Sequence, residues 1–529
     1  MTLDGFLTFF GILFAAYAVI DPVTRLRIRL DSPAQLTLLF VSIAAVIFFQ
    51  FVNPIVSVLP LPLATWFVGL RFGQPEDVLN NTQMAFIVTL VWSVSAVTLY
   101  SFNRPRARRI RRLPPLVERL YDSRRYIEIL TLVSPYIDVL KRSFYREHLL
   151  EKLHDRLEKA GRGTFRTIDL INMDKNRKQA RYLRFSSLVS SMIPSARKRT
   201  TAAREIVDLI AKSRDIRHVL QTQKPEFAAI FFKTFQSELY DEFDRYVLES
   251  MMNSESHLRS DLRKTTNLAR ETYALDPSAI VLNNFLEDIS FAQRSGIWRP
   301  VGEAAIKVIE EDEQYADVIR RPPPVEDEDL FNDITYSAIH FFDVMVTRAA
   351  VSGLCDNMWL MYLMHFVRKI ITLSSLPLPQ SSRLSEFPTL GLRLIWECQY
   401  RLSNWVELSW RLPEGNPNSS PSSFAEAREI CAIPYWAAWT LCIVVRNIIT
   451  SDDIPEEFKR ERFGSFVRTC SKLPKSGPGS YLREYMAEAI VLGPPDAHDR
   501  DLSDSVRDML SHVDVVDRFN FSELNVRLQ

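Results

Sequence analysis

The sequence predicts an all-α protein: three N-terminal transmembrane helices followed by a large irregular α-helical cytosolic region. Three observations predict it. The first hundred residues contain three long, almost uncharged apolar tracts. Beyond Pro115, apolar residues recur at helical spacing almost to the C-terminus, and no stretch alternates between turn signals as a half-buried strand does. Charge is segregated along the chain. Residues 1–103 carry 4 basic and 5 acidic side chains, residues 104–234 carry 31 and 14, and residues 235–529 carry 30 and 45. A net charge of +1 therefore hides a basic middle and an acidic C-terminal part, a division that suits a basic part held against something anionic.

The first span is expected over residues 3–21, where 5–20 carry no charge and, with Leu3 and the neutralisable Asp4, are just long enough to cross a core of about 30 Å. No basic residue precedes it, and Arg25, Arg27 and Arg29 follow, so it reads as an uncleaved anchor rather than a secretory leader. Residues 34–52 form the second expected span, with Pro54 beyond its outer end. Residues 54–70, containing Pro60, Pro62 and Trp66, read as an interfacial or re-entrant segment. Residues 82–102 form the third. Arg104, Arg106, Arg108, Arg109, Arg111 and Arg112 follow at once. Basic flanks mark the cytoplasmic side, so the N-terminus is expected outside and the C-terminal body in the cytoplasm. A fourth span at 54–70 would put the two arginine clusters on opposite faces. Arginine carries most of the basic charge, which hints at a GC-rich bacterial genome and an inner-membrane location. The same arginines suit anionic lipid at the inner leaflet, at about 1 kcal/mol per basic residue.

The cytosolic part divides by composition into a basic helical region at 104–315, an acidic and Pro-rich linker at 316–329 around Pro322, Pro323 and Pro324, and an acidic helical region at 330–529. Helical periods run over 114–134, 135–161, 181–192, 201–220, 225–252, 256–273, 278–294 and 301–319, then over 333–373, 388–412 and 424–449. Residues 413–423 read as a loop. The apolar run 434–445 is short for a span and is bounded by Glu429 and Arg446, so a buried core helix is expected there.

Motifs for chemistry are sparse. The chain has no P-loop, no His-Glu-x-x-His and no Gly-x-Ser-x-Gly, and only 15 glycines to build phosphate-cradling turns. Its five cysteines form no Cys-x-x-Cys pair and read as free thiols in a reducing compartment. Glu151 and His154 show the spacing of di-iron bundles, but no second such pair exists, so neither a metal nor any other cofactor is expected. His340 and His365 sit on apolar runs and are expected to be hydrogen-bonded core histidines, and the Met- and aromatic-rich run 358–364 is expected to be core.

Arg142 and His148 are separated by five intervening residues on one expected helix. This spacing resembles the arginine–histidine pair of HEPN-type ribonucleases, an all-helical family in which the two residues serve RNA cleavage across a dimer. The resemblance covers two residues, with Ser143 where that family often has a polar residue, and a solvated basic helix face is the preferred reading. A further basic patch comprises Arg177, Lys178, Arg181, Arg184, Arg197, Lys198, Arg199 and Arg204. Nucleic acid is a conceivable partner for it with Tyr182 and Phe185 nearby, ranked below anionic lipid or an acidic protein surface. The expected function is therefore a membrane-anchored sensor, scaffold or effector acting by protein or lipid binding and self-assembly, as a homo-oligomer or with a charged protein partner. An oligomeric gated pore and a membrane-tethered HEPN-like ribonuclease are the alternatives.

Overall fold

The computed structural model describes residues 107–145, 194–268, 272–356, 360–374, 387–419, 421–477, 479–494 and 501–528, plus isolated positions among the first hundred residues. Apart from those isolated positions, the three expected spans, the segment 54–70 and Arg25, Arg27, Arg29, Arg104 and Arg106 lie outside the described residues. The chain divides into two compact units, Met1–Ile216 and Arg217–Gln529.

In the first unit the arginine run winds into a 3₁₀ turn, Ala107–Arg112. Three short helices follow: α1 (Pro114–Asp122), α2 (Tyr126–Val133) and α3 (Ile137–Tyr145). The long α4 (Pro194–Lys212) packs on the turn, α1 and α3. Proline in the first turn of α1 removes an N–H that has no partner there anyway. The period over 114–134 suggested one helix. The chain breaks instead after Asp122, where Arg124 takes φ 56° and Arg125 N–H donates to Leu120 O at 2.9 Å, a left-handed helix stop. Apolar residues at helical spacing, among them Leu113, Leu120, Leu140, Ile206 and Ile210, close the core of this unit.

Among the described residues of the second unit, the regular structure is helical except for one antiparallel ribbon, Thr266–Leu268 paired with Thr272–Ala274. A helix was expected through residue 273. It ends at Arg263, and the β-branched Thr265, Thr266 and Thr272 with Tyr273 favour the extended pairing that follows. The elements that organise the unit are α5 (Trp298–Glu311), α6 (Ile334–Val351), α7 (Leu360–Leu373), α8 (Leu390–Arg411), α9 (Ile433–Thr450), α10 (Glu456–Lys472) and α11 (Tyr481–Leu492). Helix α9 is the hub, packing on α7, α8, α10 and α11. It is apolar around its circumference, and a helix of that kind must be surrounded. Of the described helices it alone has the length and hydropathy of a membrane span. Yet 78% of that window is buried inside the unit, as befits the core helix expected for 434–445, here extended to 18 residues.

The stretch 316–329 does not separate two bodies. Helix Tyr315–Arg320 crosses into it, helix Asp327–Leu330 closes it, and Tyr315, Ile319 and Leu330 are buried. On either side of it, α5 packs directly on α6. The three prolines end one helix, but the apolar residues around them tie the chain back to the core. The boundary between units instead falls within helix Arg214–Thr222. The period over 333–373 also resolves into two helices. Gly353, at φ 74°, turns the chain after α6.

The loop 413–423 is ordered by its asparagines. Asn416 Nδ2 donates to Ala350 O at 2.9 Å, and Asn418 Nδ2 donates to Leu354 O at 3.0 Å. Asn418 Oδ1 accepts from Ile433 N–H at 2.9 Å. The residue before α9 supplies no side-chain cap, so the fully buried Asn418 caps the hub helix from fifteen positions upstream.

Candidate functional site

The candidate site is a basic surface in the first unit, built from three elements that pack on one another. The 3₁₀ turn seats Ile110 and the following Leu113 fully in the core. Arg111 and Arg112 are exposed, and Arg109 is half-buried. Helix α3 buries Ile137 and Leu140, and on the same short helix Lys141 and Arg142 are exposed. Helix α4 buries Ala202, Ala203, Ile206 and Val207, while Lys198 and Arg204 are exposed and Arg199 is half-buried. The Arg204 guanidinium lies 5.8 Å from the centre of the Phe144 ring, a cation–π contact that joins α3 to α4.

The fold thus gathers Arg109, Arg111, Arg112, Arg142, Lys198, Arg199 and Arg204, which are far apart in sequence, around one small apolar core. Asp138, Glu205 and Asp208 share these helices, and Asp208 pairs with Lys212 at 3.3 Å. Chemically the surface can attract phosphate-bearing or carboxylate-bearing partners through exposed guanidinium and ammonium groups. It holds no nucleophile paired with a base among the described residues. Arg142 is solvent-facing near the C-terminal end of α3, whereas His148 lies outside the described residues. Arg108, Arg197, Arg177, Lys178, Arg181 and Arg184 add nothing to this geometry. The side chains of Arg108 and Arg197 and the whole of the other four are also outside.

In the second unit, buried titratable groups between α6 and α8 form a closed arrangement. Asp343 on α6 is buried and accepts from Arg401 Nη1 at 2.6 Å and Trp405 Nε1 at 2.9 Å, both on α8. The buried Glu397 lies 2.9 Å from Arg393 Nη2 and 3.2 Å from Arg401 Nη2. Burial pushes the Glu397 carboxyl above its usual range, while Arg401 and Arg393 pull it back. These acids each meet an arginine, so the cluster fastens α6 to α8. These residues do not stand out in the sequence, because the i, i+4 spacing of Arg393, Glu397 and Arg401 is also that of an exposed helix face.

His340 is buried as expected, with Nε2 2.5 Å from Thr265 Oγ1 and its ring edge-on to Phe331. Desolvation lowers its pKa to about 4, so it is neutral near pH 7. His365 departs from expectation: it is half-exposed on α7, with Nε2 3.3 Å from Glu310. The run 358–364 is not uniformly core either, since Met361 is 51% exposed while Leu363 is fully buried. One face of α7 looks outward, and sulfur flexibility tolerates that. Cys398, Cys442 and Cys470 are buried free thiols whose pKa values burial raises. No group of three or more His, Cys, Asp or Glu side chains among the described residues could hold a metal ion. No family model, no curated protein and no solved structure matches this chain.

Proposed function

We propose that this chain is a membrane-anchored helical sensor, scaffold or effector. It acts by binding protein or lipid and by self-assembly, in a bacterial stress or defence system. Residues 3–21, 34–52 and 82–102 cross the inner membrane with the N-terminus outside, and the body lies in the cytoplasm. The observation that carries this reading is the run of six arginines, 104–112, directly behind an uncharged tract of 21 residues at 82–102. Its placement fits a working connection. The turn holding Arg109, Arg111 and Arg112 is docked through Ile110 and Leu113 onto the same core as α3 and α4. A headgroup-level turn fused to a folded body transmits force or tilt, which a loose linker would not. The exposed cations of that body strengthen the hold on an anionic leaflet or receive an acidic partner, including the acidic C-terminal part of another copy.

The test is the native mass of the full-length chain in mild detergent, at low and at high salt, without nuclease. An assembly of several copies, or a complex with a stoichiometric protein, that loosens with salt supports the proposal. A salt-indifferent lone monomer that also fails to bind anionic vesicles overturns it. A discrete ring would favour the pore alternative. A co-purified RNA that is cleaved by the chain but not by its His148→Ala variant would favour the ribonuclease alternative.

A further inference from the structure

A groove of about 460 Å³ runs along α11, between its N-terminal turn, the start of helix Phe424–Glu429 and the end of helix Ser522–Arg527. One end is aromatic. Phe424 and Tyr485 line it with ring centres 5.1 Å apart, backed by Tyr435 at 5.5 Å from Tyr485. Tyr481 lines it as well, and its Oη is buried with no hydrogen-bond partner among the described residues. The other end is ionic, where Arg527 Nη2 lies 2.7 Å from Glu488 Oε2. Between them Glu484 is exposed and has no ion-pair partner among the described residues.

From this arrangement we infer a ligand site for one organic cation carrying a guanidinium or alkylammonium head. Arg527 cancels Glu488, so among the described residues that line the groove Glu484 leaves one uncompensated negative charge. An anion is repelled there. A bare metal ion would gain little from three ring faces, whereas an organic cation is attracted by the quadrupole of each ring and sheds its water readily against them. Tyr481 adds its ring to the apolar wall of the groove, while its Oη is itself sealed from solvent. Residues i, i+3, i+4 and i+7 of one helix share a face, which places Tyr481, Glu484, Tyr485 and Glu488 in a single row. This site does not depend on the membrane reading above. The cation can come from a free small molecule or from an arginine side chain of a protein segment.

The test titrates full-length chain in mild detergent with Nα-acetyl-arginine ethyl ester, with Nα-acetyl-citrulline ethyl ester as its neutral isostere, and with a peptide of residues 103–115 of this chain. The arginine ester is expected to bind saturably and at least 10-fold more tightly than the citrulline ester. Glu484→Gln should weaken it about 10-fold, while the exposed Glu457→Gln leaves it unchanged. Peptide binding tighter than that of the ester identifies another copy as the source of the cation; ester binding alone identifies a free metabolite. Equal affinity for the two esters, or an unchanged affinity in Glu484→Gln, overturns the site. Glu484 is solvent-exposed, so that variant folds.

Discussion

Replacing Asn418 with leucine should destabilise the second unit far more than a loop substitution ordinarily does. The two side chains are similar in volume, so little packing changes. What changes is hydrogen bonding. Ile433 N–H loses its acceptor at 2.9 Å, and Leu354 O loses its donor at 3.0 Å. Asn418 is itself fully buried, so no water replaces the side chain without rearrangement. Each orphaned group costs about 1–3 kcal/mol, which gives about 4 kcal/mol for the pair. With an unfolding entropy of about 2.1 cal/mol/K per residue over a unit of this size, that lowers Tm by about 6 °C. Asn418→Asp tests the donation to Leu354 O separately. It keeps an oxygen for Ile433 N–H but sets a second carboxylate oxygen against Leu354 O in a fully buried place, so near pH 7 it should be at least as destabilising as leucine and should recover as the carboxyl is protonated. The assay is thermal unfolding followed by helical circular dichroism on the full-length chain. A leucine variant melting within 1 °C of wild type would refute the claim that a buried side chain caps α9 from the loop.

Other substitutions test other parts of the account. Gly302→Ala in α5 normally gains helix propensity, but a Cβ there would stand 2.4 Å from the Tyr362 ring, which is itself stacked on Phe342 at 5.6 Å. The variant should therefore lose about 1–3 kcal/mol by denaturant melting, and Tyr362→Leu in the same chain should recover part of that loss. Arg483 is buried and donates to Leu473 O at 2.8 Å and to Glu523 at 2.9 Å, and it also bonds Asn520 O. Arg483→Met should cost about 3–5 kcal/mol and let protease cut first within 501–528. His340 titrates near 4 in the fold against about 6.5 unfolded, so the unfolded chain binds more protons between those values. Stability should therefore fall as pH drops from about 6.5 to 4, by up to about 3 kcal/mol, and the fall should flatten in His340→Gln.

Helical class was legible because apolar spacing is a local property. The hub α9 was legible too, since a run bounded by Glu429 and Arg446 reads as core. Breaks were harder. Arg124 and Gly353 each stop a helix through the backbone of one residue, and neither interrupts the apolar period around it. The ribbon at 266–274 pairs only three residues per strand, too few to show alternation. The prolines at 322–324 were overweighted as a boundary. They end a helix without freeing Ile319 or Leu330 from the core. Polar anchors such as Asn418, Asp343 and Arg483 were invisible because their partners lie far away in sequence. Of the candidate site, the charge of the arginine run and of α4 was legible. Their convergence around Ile110 and Leu113 was not, since it depends on how α3 and α4 pack.

The central claim is that the chain is held in a membrane by its first hundred residues. Alkaline carbonate extraction of membranes from bacteria expressing the full-length chain tests it most directly. The account predicts that the protein stays in the pellet at high pH and is released only by detergent. Recovery of the protein in the carbonate supernatant would contradict it and would reduce the arginine run to a surface patch on a peripheral or soluble body.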